Sequence, residues 1–156
     1  APLLEIAGAI RDLAEAYTDV DLVYPVHPNP NVDGPIRKEL GGVAGVHLIA
    51  PLEYKAFADL MSASYLILTD SGGIQEEAPS LGKPVLVLRD ETERPEAVAA
   101  GTVKLVGPHR RAIVAAARAL LDSKDAYAAM ARAVNPYGDG KAAGRIVEKI
   151  KEVLGA

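Results

Sequence analysis

The sequence predicts an α/β fold, a doubly wound parallel sheet of five strands with helices on both faces. Two observations lead to this fold class. Short apolar runs, typical of buried strands, alternate with segments whose apolar residues recur at helical spacing. Glycine and proline turns separate these segments. The length of 156 residues, of which 49% are apolar and 24% charged, suits a single domain over residues 1–156.

The predicted elements follow one another with short connections. Apolar runs predict strands at residues 20–26, 46–50, 65–68, 85–88 and 102–106. Helical spacing predicts helices at residues 2–17, 34–40, 53–62 and 74–81, a short one ending at 100, and then 110–121, 124–133 and 141–154. Pro2 suits the first turn of the first helix, and Gly41 with Gly42 ends the second. Ligands of this fold class bind beyond the carboxyl ends of the strands, so the loops there are the candidate site.

The turn at residues 69–77 is the most informative stretch. It places Ser71, Gly72 and Gly73 between a predicted strand and a predicted helix. Glycine lets a ligand approach the backbone closely, and a helix start offers unpaired N–H groups and a positive dipole end, which suit phosphate. Glu77 and the glutamate before it can accept hydrogen bonds from sugar hydroxyls. The stretch fits a nucleotide-sugar site; an N-capped helix with a glycine turn and two solvated acids explains it equally well.

Four other side chains are candidates. His27 follows the first strand in a loop stiffened by prolines, where it is either an acid, base or phosphate donor, or simply a loop histidine. Arg94, or Arg89 in the same charged loop, is placed to clamp a diphosphate; internal ion pairs in a solvated loop are the alternative. Phe57, the sole phenylalanine, either packs in the core or stacks on a base.

Composition and charge exclude several classes of function. The net charge of −4 gives no footprint for a nucleic-acid partner. No apolar run is long enough for a membrane span, and no signal peptide is visible, which favours a cytoplasmic protein. The lack of cysteine rules out disulfides and thiolate metal sites. No His, Asp and Glu cluster has the spacing of metal ligands, so no metal site is predicted.

Four stretches together carry a family resemblance. They read VYPVHPNPNV at residues 23–32, TDSGGIQEEAPSLGKP at 69–84, TERPE at 92–96 and NPYGDG at 135–140. In this order they resemble the carboxyl-terminal domain of the non-hydrolysing UDP-N-acetylglucosamine 2-epimerases, which is a Rossmann-like half of a GT-B-type enzyme. The resemblance spans nearly the whole chain.

The resemblance implies an enzyme that interconverts UDP-N-acetylglucosamine and UDP-N-acetylmannosamine. In that family UDP is eliminated to give a glycal and is then added back, without a redox cofactor, and the full-length enzyme is a homodimer. Carried over by motif, the diphosphate would bind at Ser71, Gly72 and Gly73, with Arg94 on the phosphate or uridine side. Glu77 would hold the ribose hydroxyls. Two further roles follow from the same resemblance: Phe57 would line the uracil pocket, and His27 would match an active-site histidine near the leaving diphosphate.

The chain departs from the family pattern in two ways. It lacks the amino-terminal domain, which supplies the acidic residues that move protons at the sugar, and it starts just after the first strand of the family's carboxyl-terminal domain. We expect the flanking strands, residues 20–26 and 65–68, to close the gap by pairing directly, which gives the flavodoxin-like order 2-1-3-4-5. A strand from another chain in the slot is the alternative.

Three functions therefore compete at this stage. The chain is the UDP-sugar-binding half of the epimerase, inactive alone; or a stand-alone UDP-binding module; or an engineered or excised α/β domain with no retained activity. The start at Ala1 and Pro2, without an initiator methionine, fits a processed, tagged or excised piece.

Overall fold

Strands and helices alternate over most of the chain in a computed structural model that describes residues 2–138 and 140–154. The strands are β1 (Leu22–Pro25), β2 (Val46–Ile49), β3 (Ile67–Thr69), β4 (Val85–Val87) and β5 (Val103–Leu105). The helices are α1 (Pro2–Ala16), α2 (Pro30–Leu40), α3 (Tyr54–Ala63), α4 (Gly72–Ser80), α5 (Pro95–Ala99), α6 (Arg110–Asp122), α7 (Lys124–Ala131) and α8 (Ala142–Leu154). The predicted mixed α/β fold with parallel strands is confirmed.

The strands form two parallel sheets rather than one. One sheet pairs β1 with β2, in the register Leu22 opposite Val46. The other has the order β3-β4-β5, in the register Ile67–Val85–Val103. The predicted five-stranded sheet with order 2-1-3-4-5 therefore does not hold, because no backbone ladder joins β1 to β3 in the described residues.

Side-chain packing joins the two sheets where the ladder is missing. Leu13 of α1 and Leu86 of β4 are buried in one cluster, and the half-buried leucines of β1 and of the segment around β3 pack against it: Leu22, Leu66 and Leu68. Direct pairing would bring β1 and β3 to a spacing of about 4.8 Å. Contact between β1 and the three-stranded sheet is made by these leucine side chains instead.

Two helices begin earlier than the sequence pattern predicts. Helix α2 starts at Pro30 instead of residue 34, because the Asn29 side chain caps it by accepting the N–H of Asn31. Proline is also well suited to the first helical position. Helix α4 starts at Gly72 instead of Ile74, so that both glycines of the turn belong to the first helical turn.

The remaining elements cover the sheets or extend from them. Arg110, at the start of α6, binds Asp12 of α1 through its side chain and Glu5 through its backbone N–H, which fixes the two helices together. Helix α8 is amphipathic, and none of its residues is buried. Within the described ranges, no helix combines the length and apolar character that crossing a bilayer requires.

Candidate functional site

The turn after β3 has the backbone geometry of a helix N-terminus that is open to a ligand. Ser71 is the N-cap of α4, and its own N–H donates to Thr69 Oγ1 at 3.0 Å. The Ser71 hydroxyl makes no capping hydrogen bond to the helix, unlike the usual serine N-cap. The first turn of α4 also carries no acidic residue, so no carboxylate there offsets the positive end of the helix dipole.

Gly72 is not required by the fold. Its φ lies outside the left-handed region that favours glycine. A Cβ built on Gly72 would meet only Glu93 Oε2, at 3.9 Å, and one built on Gly73 would meet nothing closer than 4.0 Å. An added Cβ at either glycine would therefore make only ordinary van der Waals contact with side-chain atoms. Since glycine in a helix costs stability relative to alanine, two adjacent glycines here need an explanation other than packing.

The two adjacent glutamates of α4 have different partners. Glu76 forms a short hydrogen-bonded ion pair with the Nε of Arg94. Glu77 accepts the hydroxyl of Tyr54, on the first turn of α3, at 3.2 Å, and this hydrogen bond with the carboxylate charge raises the pKa of Tyr54. Glu76 thus orients the arginine, while Glu77 is held towards α3. The sequence indicated Glu77 but not the roles of Glu76 and Tyr54.

The two arginines of the charged loop also differ. Arg89 donates to both oxygens of Glu93, at 3.3 and 3.4 Å, which is the internal ion pair that the sequence left open for this loop. Arg94 lies at the N-terminus of α5 and reaches back to α4. Its guanidinium also donates through Nη1 to the carbonyl of Glu93 at 3.2 Å, and Glu76 raises its pKa, so it remains cationic.

A buried polar pair connects the helix to the arginine loop. Gln75 is completely buried, and its amide nitrogen donates to the carbonyl of Ser71 at 3.2 Å. Its amide oxygen accepts the hydroxyl of Thr92 at 2.6 Å, and the Thr92 hydroxyl accepts the N–H of Arg94 at 3.1 Å. Sequence reasoning missed both residues. The sequence signal that could have revealed Gln75 is a polar glutamine at a position of α4 that faces inward.

Phe57 shows the core packing that was one of the two interpretations of the sequence. It is half-buried on α3 and packs against the core cluster beside the three-stranded sheet. It lies one helical turn after Tyr54, on the same face of the helix, and Tyr54 contacts Glu77. The inward part of Phe57 is therefore core.

His27 lies in the loop after β1 and is exposed. Its Nδ1 accepts the N–H of Asn29 at 3.2 Å, which leaves Nε2 to carry the proton of the neutral ring. In the strand before it, burial and, to a smaller extent, the charge of Asp70 raise the pKa of Tyr24. The hydrogen bonds of the described residues do not join His27 to Ser71 or Arg94.

The described part of the chain contains no cluster of side chains that could bind a metal ion. Among residues 2–138 and 140–154, no three His, Asp or Glu side chains gather closely enough to hold an ion. The hydrogen-bonded polar groups there come from α3, α4 and the loop before α5: the hydroxyls of Tyr54 and Thr92, the Gln75 amide, the Arg94 guanidinium and the carboxylates of Glu76 and Glu77.

Parallel strands that alternate with helices, and polar groups that lie beyond the carboxyl end of β3, define a protein of the α/β class. Within that class, the chain belongs to the UDP-N-acetylglucosamine 2-epimerase family, whose model matches residues 1–151.

Relatives of known sequence and structure agree with this assignment. The UDP-N-acetylglucosamine 2-epimerase of Escherichia coli K12 is 58% identical over 147 residues, which are 94% of this chain and 39% of that protein. The crystal structure of the Neisseria meningitidis UDP-GlcNAc 2-epimerase bound to UDP-GlcNAc superposes with a TM-score of 0.89 at 55% identity, covering 95% of this chain and 40% of that chain. The S. aureus MnaA-UDP co-structure superposes with a TM-score of 0.92 at 51% identity, covering 99% of this chain and 42% of that chain. The chain thus spans about two fifths of the length of these relatives.

Proposed function

We propose that the chain is a single UDP-sugar-binding domain, the nucleotide half of an epimerase that interconverts UDP-N-acetylglucosamine and UDP-N-acetylmannosamine. The observation that carries the proposal is the turn after β3. Its serine hydroxyl is not used for capping, and a Cβ added at either glycine would meet only side-chain atoms, none nearer than 3.9 Å. The family membership and two solved relatives named for UDP-GlcNAc or UDP support the choice of ligand.

The diphosphate binds at Ser71, Gly72 and Gly73, with Arg94 as its cationic contact. Backbone N–H groups at a helix start suit phosphate oxygens, and glycine lets the phosphate reach them. The guanidinium of Arg94 is held by Glu76 through Nε, an arrangement that fixes its plane before the ligand arrives. These donors would also stabilise the negative charge on UDP when its bond to the sugar breaks and the electron pair moves to the phosphate oxygen.

The nucleoside binds between α3 and α4. Glu77 accepts hydrogen bonds from the ribose hydroxyls, with Tyr54 holding its other oxygen in place. Phe57, on the same face of α3 as Tyr54, lines the uracil pocket. His27 is proposed as the residue near the leaving diphosphate, to which the N–H of Nε2 would donate.

Glu77 makes the ribose assignment testable. We expect the wild-type chain to bind UDP about ten-fold more tightly than 2′-deoxy-UDP, because a hydrogen bond to a charged group contributes about 1.5–3 kcal/mol. Glu77→Ala should bind the two nucleotides equally. The matched control is Glu76→Ala, which should weaken both nucleotides through Arg94 and keep the preference for UDP. Isothermal titration of the three proteins with each of the two nucleotides measures this, and a preference that survives in Glu77→Ala would contradict the assignment.

The isolated chain is expected to bind without turnover. Elimination of UDP also requires a base at the second carbon of the sugar, and the resemblance assigns the proton-moving acidic residues to the amino-terminal domain, outside the two fifths of the relatives that these 156 residues match. Purified chain incubated with UDP-N-acetylglucosamine should give no detectable UDP-N-acetylmannosamine, whereas a full-length relative under the same conditions should reach equilibrium. Product formation by the chain alone would show that the catalytic groups lie within these residues.

A further inference from the structure

A chain of hydrogen bonds runs from the start of α4 to the backbone of Arg94. It passes from the Ser71 carbonyl through the Gln75 amide to the Thr92 hydroxyl, and from there to the Arg94 N–H. Each group has a partner of the correct type, since the amide nitrogen meets a carbonyl and the amide oxygen meets a hydroxyl. The route is buried at Gln75 and half-buried at Thr92.

We propose that Gln75 and Thr92 are positioning residues, which set the distance between the phosphate turn and the guanidinium of Arg94. The inference rests on the proposed function, because that function gives the two ends of the hydrogen-bond chain, Ser71 and Arg94, a common ligand. Neither residue touches that ligand. They act through Ser71 at one end and Arg94 at the other.

The polarity of Gln75 is the first argument for this role. Burying an amide costs free energy unless both of its ends are hydrogen-bonded, and an apolar side chain would fill the same space without that requirement. The two partners of Gln75 are groups of the candidate site, not of the sheet or of a remote helix. The buried amide therefore ties the two parts of the site that meet a diphosphate.

The backbone at Arg94 is the second argument. Arg94 occupies the N-cap position of α5 with φ −125° and ψ 58°, outside the usual helical and extended regions, and makes no side-chain cap. Its N–H is bonded to Thr92 Oγ1. The loop also lies beside the turn, since the Glu93 carboxylate is the nearest group to a Cβ at Gly72. The position of Arg94 relative to the turn thus depends on Thr92.

A double-mutant cycle distinguishes positioning from general stabilisation. The variants are Thr92→Val, which removes the hydroxyl at similar shape, Arg94→Lys, which keeps the charge but loses the planar fork, and the two together. We expect Thr92→Val to weaken UDP binding about ten-fold, equivalent to about 1.4 kcal/mol, in the wild-type background. In the Arg94→Lys background the same change should weaken binding less than about two-fold, because little guanidinium geometry remains to be lost.

Three comparisons complete the experiment, with UDP titrated to millimolar concentration and amide shifts as the readout. Thr92→Ser keeps the hydroxyl and should bind UDP like the wild type. Thr102→Val removes another buried hydroxyl, bonded to the Ala97 carbonyl, and should lower the unfolding temperature without changing UDP binding. Gln75→Met breaks the chain from the helix side and takes the place of Thr92→Val in the cycle if that variant does not fold.

The outcomes separate this inference from the function on which it rests. Equal effects of Thr92→Val in both backgrounds, or unchanged affinity in the folded single variant, would overturn the positioning role while UDP binding by the wild type stands. Failure of Thr92→Ser to restore binding would also overturn it. A wild-type chain that does not bind UDP would overturn the proposed function and this inference together.

Discussion

We expect Gly72→Val to abolish measurable UDP binding while leaving the domain folded. The wild-type space above Gly72 is open, and valine there would occupy the position through which a phosphate reaches the backbone N–H groups. The expected loss is on the order of a hundred-fold, about 2.7 kcal/mol, which takes an already weak ligand beyond detection. Stability should change by less than about 1 kcal/mol, because valine is at least as good a helix former as glycine and a Cβ at this position meets only Glu93 Oε2, at 3.9 Å.

The matched control is Gly144→Val in α8. Gly144 is also a helical glycine with nothing within 4 Å of an added Cβ, but it lies in a different helix from the turn. This variant should bind UDP like the wild type. Thermal unfolding by circular dichroism and UDP titration of both variants give the comparison. A folded Gly72→Val chain with unchanged UDP affinity would show that the glycine turn is only structural.

The second large effect is expected from Arg94→Gln. Loss of the guanidinium removes charge-assisted hydrogen bonds to the diphosphate, each contributing about 1.5–3 kcal/mol, so UDP binding should fall by roughly ten- to a hundred-fold. It also leaves Glu76 unpaired next to the ligand's negative charge. Uridine, which has no phosphate, should show a much smaller change.

Arg89→Gln is the control for Arg94→Gln. Both residues belong to the same charged loop and carry the same charge, but Arg89 is paired with Glu93 and does not reach α4. Its replacement should change UDP affinity less than about two-fold, through exposed charge alone. Equal losses of UDP affinity in the two variants would mean that the positive charge of the loop as a whole, not a specific contact of Arg94, supports binding.

Some features of the fold follow from the pattern of residues along the sequence, and others do not. Apolar periodicity predicted the parallel α/β fold, because strands and helices are defined by residues close together in sequence. It did not predict the separation into two sheets, since pairing between β1 and β3 involves residues far apart in sequence and is not set by local periodicity. The early start of α2 followed from a local cap at Asn29 that competes with the Pro/Asn turn pattern.

The residues of the candidate site were likewise predictable only in part. Ser71 and the glycines were visible as a turn between a strand and a helix, and Arg94 as a cation in a charged loop. The sequence could not decide which of two adjacent glutamates pairs with Arg94, because neighbouring residues on a helix point in different directions. The role of Gln75 was hidden for a different reason, because its hydrogen-bond partner is a threonine 17 positions away in the sequence.

The most direct test of the account is a titration of the wild-type chain with UDP, followed by backbone amide chemical shifts. We predict saturable binding weaker than about micromolar, because closure against the rest of a full-length relative cannot contribute. The shift changes should concentrate at residues 71–77 and around Arg94, with uridine producing only a subset of them. Saturating UDP that leaves the amides of residues 71–77 unmoved would contradict the account.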